Sequence, residues 1–201
     1  MSTKTTKTIS QFKGALVGGG ARPNLFEVNI AALPTGLDWD GDSFQYMCKA
    51  ASLPASVIAN VDVPFRGRIF KVAGDRTIET WSVTVINDES FKLRNAFEQW
   101  MQLIAKLDTN LGATNPSSYM VDADVYQLGR GGKVGEESTS NAGSNSAILK
   151  QYKMEGIFPT NLSGIDLSYD TGDTIEEFTV EFQVQSFVPY GGVGQATIPR
   201  G

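Results

Sequence analysis

The chain has 201 residues, enough for one domain with a real core, and 41% apolar against 19% charged residues is globular rather than disordered. A net charge of −5 with a pI near 4.8 argues against a protein that grips nucleic acid along a basic face, because that binding rests on Lys and Arg neutralising phosphates. The absence of histidine, with Cys48 the single cysteine, excludes Cys/His zinc sites and disulfides within one chain and removes the usual general base.

Residues 1–20 read as a flexible arm, Thr- and Lys-rich at the start and closed by Gly18, Gly19 and Gly20. The arm lacks the apolar centre of a secretory signal, and no stretch of the chain approaches the roughly 20 apolar residues of a membrane span. Residues 25–33 predict a strand with Phe26, Val28 and Ile30 on one face, and Pro34, Gly36 and Gly41 then mark a loop. Residues 43–50 predict a second strand with Phe44, Tyr46 and Cys48 inward, which makes Cys48 a buried, inert thiol. Residues 57–72 form one long extended stretch interrupted by Pro64 and Gly67. Proline cannot donate a ladder bond, so this segment is an edge or is bulged there.

Gly74 and Asp75 predict a chain reversal. In the strand that follows, Trp81, Val83 and Val85 share one face while Thr80, Ser82 and Thr84 share the other. Asn87 or Asp88 is placed to cap an amphipathic helix in which Leu93, Phe97, Trp100, Met101, Ile104 and Leu107 recur at helical spacing. Residues 108–118 are a polar loop, and 120–128 another strand. Residues 129–146 hold Gly, Ser, Asn and Glu with almost nothing apolar, a surface loop or a locally disordered segment. Strand pattern returns over 147–158, Gly172 marks a turn, and residues 175–187 alternate, with Phe178, Val180, Phe182 and Val184 opposite Glu177, Thr179, Glu181, Gln183 and Gln185. The domain reading is an arm (1–20), a single domain (21–190) and a tail (191–201). Its fold class is mainly β, a sandwich or barrel of antiparallel strands with one packed α-helix.

Catalytic and ligand motifs are weak. Asp38, Asp40 and Asp42 alternate as at the start of a calcium loop, but Lys49 stands where a bidentate acid belongs, so a solvated loop is the better reading. One Arg130-Gly131-Gly132 in an acidic chain is a flexible loop. No phosphate-binding or nucleophile-elbow motif occurs, and the chain reads as a non-enzyme without a metal or cofactor.

Four blocks in order carry a resemblance: Ala21-Arg22-Pro23-Asn24-Leu25-Phe26-Glu27-Val28, then Cys48-Lys49-Ala50-Ala51-Ser52-Leu53-Pro54, the Ala73–Trp100 run, and Gly156-Ile157-Phe158-Pro159-Thr160-Asn161-Leu162 leading into the last strand. Over roughly residues 21–128 and 148–187 the chain resembles the tail tube proteins of T4-like contractile bacteriophages; the polar 129–146 loop is a departure from them. The resemblance implies hexameric rings stacked into a tube inside a contractile sheath, in a virion assembled in the host cytoplasm. Its partners would be further copies of itself, the tail sheath protein, the baseplate and tail terminator proteins, and double-stranded DNA that passes the lumen without specific binding, with no stable membrane insertion. A baseplate tube initiator or cap of the same fold, or a ring-forming secretion-system tube protein, is the alternative.

Two sets of residues then become site candidates. Val63, Phe65, Arg66 and Arg68 of the long extended segment are candidates for ring stacking and inter-subunit contact, the arginines either pairing with a neighbour's carboxylates or lying solvated on an edge. Glu177, Thr179, Glu181 and Gln183, opposite the core face of the last strand, are candidates to line the lumen, or else they meet a neighbour or bulk solvent.

Overall fold

The structure, a computed structural model, describes residues 7–16, 20–109, 111–129, 148–170 and 172–190. In chain order these form α1 (Ile9–Ala15), β1 (Phe26–Asn29), α2 (Gly41–Met47), β2 (Cys48–Ala51), β3 (Ser56–Phe65), β4 (Arg68–Ile78), β5 (Trp81–Ile86), α3 (Lys92–Ile104), β6 (Val121–Leu128), β7 (Ile148–Leu162), β8 (Glu177–Gln183) and β9 (Ser186–Tyr190). Every pairing is antiparallel, and the main sheet runs β1-β6-β7-β8-β5-β2 with β9 also on β7. The mainly-β, antiparallel reading with a packed helix holds.

The 15-residue β7 joins two halves of this sheet. Its first part pairs with β6 and β9, and beyond Ile157 its last part pairs with β8. Gly156 sits at the switch with φ +65, and a Cβ there would stand 2.9 Å from Gln185 Cγ. Glycine is the residue that takes this conformation without strain.

The two halves enclose one core. Val28, Ala123, Val125, Met154 and Ile157 come from one half, and Trp81, Val83, Val85, Phe178, Val180 and Phe182 from the other. Helix α3 lays Leu93, Ala96, Phe97 and Trp100 into it. Phe97 is the hub, with ring contacts to Trp39, Phe44, Trp100, Phe178 and Phe182. All three indole N–H groups donate to backbone carbonyls: Trp39 to Ile30, Trp81 to Ser52 and Trp100 to Tyr119. The large aromatic surfaces are therefore buried without leaving a donor unmet.

Several local readings are corrected. Residues 41–47 are helical, not a strand, because Asp40 caps them: its carboxylate accepts from the Ser43 N–H at 3.0 Å and from the Ser43 hydroxyl at 2.8 Å. Phe44 alone of the expected inward set is fully buried. Tyr46 is 83% exposed, and Cys48 is half-buried at the start of β2. Burial still pushes the Cys48 thiol up to about 12, so it stays protonated and unreactive at neutral pH.

Gly74 and Asp75 do not reverse the chain. They lie inside β4 opposite Ala59, where the register slips, so the signal belongs to a β-bulge. Neither Asn87 nor Asp88 caps α3. The cap position is Phe91, in the left-handed region at φ 54, while Asn87 donates its side-chain amide to Glu176 and Asp88 accepts from Ser90. Leu107 falls beyond the helix and is exposed. The 175–187 alternation divides into β8 and β9, and Ile175 is exposed.

Within the expected arm, α1 is closed by a reciprocal cap between Thr8 and Gln11, and it buries nothing. The tail 191–201 and the 129–146 loop, apart from Gly129, lie outside the described residues.

Candidate assembly surfaces

The long extended segment is a hairpin rather than one strand. Arg66 and Gly67, with φ 47 and 79, make a two-residue turn of the kind that matches strand twist, and Phe65 pairs with Arg68 to close it. The body ends in the same ladder: Ser52 N–H donates to Ser82, and Glu79 N–H to Ala55, before Ser56 pairs with Ile78. The β2–β5 ladder thus continues outward as β3–β4, and ten residues at about 3.3 Å each carry the tip about 30 Å beyond the core.

Register sorts the hairpin into two unlike faces. Val61 opposes Val72 and Val63 opposes Phe70, so with Phe65 these residues form one apolar stripe. On the other face Asp62 accepts from Lys71 at 3.1 Å and from Asn60 at 3.0 Å. All ten residues of β3 are exposed, and Phe65 and Phe70 remain about two-thirds open. A two-stranded ribbon standing alone in water is marginal, so this apolar stripe needs a cover that the described body does not provide.

Of the stacking candidates, Val63 and Phe65 lie in the stripe. Arg66 sits at the tip with its guanidinium 5.3 Å from the centre of the Phe65 ring, and Arg68 faces the same side as Phe65. Arg66 lies in the turn and Arg68 just after it, so the two do not sit side by side on one strand. Among the described residues neither makes an ion pair.

The β8 candidates do share the face away from the core, across from Ser82 and Thr84 of β5. They are not equally free. Glu177 is held by Lys49, reaching across β5. The Thr179 hydroxyl lies 3.3 Å from that of Thr84. Among the described residues Glu181 and Gln183 make no such side-chain pairing, although the Glu181 carbonyl accepts from the Thr160 hydroxyl at 3.2 Å.

One surface escaped the sequence reading. The β7–β8 loop exposes Leu167, Tyr169 and Ile175 among Asp166, Asp170, Asp173 and Glu176, with no Lys or Arg between 164 and 176. The mixture of apolar and acidic residues was visible in the sequence, but its exposure was not.

The aspartates at 38 and 40 are engaged in structure. Asp40 caps α2, and Lys92 lies 3.9 Å from Asp38 and 3.5 Å from Asp40. Hydrogen bonds from Ser43 hold the Asp40 carboxyl below the usual carboxylate range, with Lys92 adding to the effect. Among the described residues no group of His, Cys, Asp and Glu gathers as a metal site, and no helix is long and apolar enough to cross a membrane.

The sequence profile described as phage tail tube protein matches residues 21–189. The chain is 34% identical over 163 residues to tail tube protein gp19 of Enterobacteria phage T4, covering 81% of this chain and 88% of that one. It is 24% identical over 179 residues to a tail tube protein of Serratia phage KSP90, covering 88% and 93%. Among solved structures it is similar to the sheath/tube terminator of an extracellular contractile injection system in its extended state. The TM-score there is 0.56 at 12% identity, over 86% of this chain and 97% of the other, a likeness of fold.

Proposed function

The chain belongs to the phage tail tube protein family, and from that premise we propose that it builds the tube of a contractile tail as stacked six-membered rings whose channel conducts genomic DNA. The observation that carries this reading is the hairpin: a ribbon of two strands with one apolar face and no cover from the described residues of its own chain. In a monomer such a surface is an aggregation liability, whereas in a repeating assembly it is an interface. The work of the protein is structural rather than catalytic. Its partners in this reading are further copies of itself, a sheath around the tube, and baseplate and terminator proteins at its two ends, within the virion.

The hydrophilic face of β8 suits the lumen. Lys49 offsets the charge of Glu177, so Glu181, repeated around a ring, supplies the main carboxylate repulsion. At physiological salt that repulsion reaches about 8 Å, which keeps phosphates moving without holding them. Replacing Glu177 and Glu181 by Lys should leave folding intact and slow DNA ejection; normal ejection from a phage carrying that tube refutes the lumen assignment.

Electron microscopy of the purified chain tests the whole reading. Long tubes of stacked rings, and many tens of copies per virion, are expected. Isolated rings with a single ring's worth of copies would instead mark a tube initiator or cap.

A further inference from the structure

The hairpin and the acidic β7–β8 loop lie at opposite ends of one sheet. Strand β5 pairs with β8 so that Trp81 opposes Phe182 and Ile86 opposes Glu177. The hairpin continues from the Trp81 end. Residues 164–176 enter β8 at the Glu177 end, where Asn87 N–H donates to the Glu176 carbonyl. About 20 Å, the length of six-residue β5, separates the two.

Their chemistry is complementary. The hairpin carries Arg66, Arg68, Lys71 and Arg76 against Asp62 and Asp75, in a chain whose net charge is −5. The loop carries four carboxylates and no base. Each also exposes large apolar side chains, Phe65 and Phe70 on the hairpin, Leu167 and Tyr169 on the loop.

We propose that the β7–β8 loop of one subunit is the receptor for the hairpin tip of a second copy in the adjoining ring. Phe65 and Phe70 then bury against Leu167 and Tyr169, and Arg66 and Arg68 meet Asp166, Asp170 and Asp173. Such an interface is heterologous: two different patches, at opposite ends of one body, join head to tail. With the two patches at opposite ends of the body, successive copies join along an axis. It also gives the stack a polarity, since hairpin-to-hairpin contact brings like charges together. This assignment rests on the reading of the hairpin as a ring-to-ring contact and names what the hairpin contacts.

The test is a charge swap in the full-length chain. Arg66→Glu with Arg68→Glu should abolish long tubes, as should Asp166→Lys, Asp170→Lys and Asp173→Lys together, each with unchanged subunit melting. Combining the two sets should restore tubes. If the hairpin set abolishes tubes but the loop set leaves them at wild-type length, or if the combination does not restore them, the loop is not the receptor and the tube reading stands. If neither set changes tube length, the hairpin assignment falls as well. A cysteine pair, Phe65→Cys with Tyr169→Cys, gives a readout independent of charge. Oxidised tubes should yield a ladder of covalent multimers on a denaturing gel, and tubes that form without a ladder overturn the proposal.

Discussion

Truncating the two hairpin phenylalanines separates assembly from folding. Phe65 and Phe70 are 66% and 67% exposed in the subunit, so Phe65→Ala with Phe70→Ala removes little that the subunit itself buries. Fully burying an exposed Phe contributes about 1.5–3 kcal/mol. Two-thirds of that, for two side chains, makes the pair worth about 2–4 kcal/mol per copy when a neighbour covers the stripe. At 1.4 kcal/mol per tenfold, the concentration at which tubes appear should rise roughly thirtyfold to several hundredfold. Subunit stability should move by no more than about 0.5 kcal/mol, the usual range for surface substitutions. Sedimentation of tubes across a dilution series gives the first quantity, and urea unfolding of the unassembled subunit gives the second. An unchanged assembly threshold would refute the assignment of this stripe to an interface. A loss of several kcal/mol in the subunit would show that the hairpin packs on its own body.

Other outcomes follow from the core and the backbone. Phe97→Ala removes the ring at the centre of five aromatic contacts and should cost about 3–5 kcal/mol in urea unfolding, a large part of a typical domain's stability. Gly156→Ala places a Cβ 2.9 Å from Gln185 Cγ at a φ of +65, and should cost about 1–3 kcal/mol, read as a lower denaturation midpoint. Burial raises the Cys48 thiol from 9.0 to about 12, so near pH 8 its thiolate fraction in the folded subunit is about a thousandfold below that of the unfolded chain. Alkylation should therefore be slow until urea is added. The sign for stability follows: above pH 9 the unfolded thiol ionises first, so stability falls as pH rises from about 9 towards about 12.

Period alone made the core legible. Trp81, Val83 and Val85 in β5, and Phe178, Val180 and Phe182 in β8, alternate and are buried as the pattern requires, and α3 buries its Leu93, Phe97 and Trp100 stripe. Local chemistry with two physical uses was not legible. Phe44, Tyr46 and Cys48 alternate as in a strand, yet Asp40 capping Ser43 turned that segment helical, a signal present in the sequence as an acid three residues before a serine. Gly74 and Asp75 suit a turn and a bulge equally, and only the opposing strand decides between them. Asn87 and Asp88 are good caps, but tertiary pairing of Asn87 with Glu176 held them away from the start of α3.

The site candidates divide in the same way. Val63, Phe65, Arg66 and Arg68 sit on a segment whose sequence reads as one extended stretch, and folding it at Arg66-Gly67 changes what they can do. As a single strand the segment would place Val57, Val61, Val63 and Phe65 beside a sheet edge. As a hairpin it doubles the stripe by bringing Phe70 and Val72 alongside, while Asp62 and Lys71 pair on the reverse face. The reverse face satisfies its own charges and adds only Ile58 and, beside Pro64, Ile69, whereas the stripe gathers Val61, Val63, Phe65, Phe70 and Val72 with bases at its tip and gains more from an apolar, acidic partner. The direction in which the hairpin docks is therefore set by which side of the ribbon was left unpaired. That property belongs to register, and register exists only once Phe65 meets Arg68.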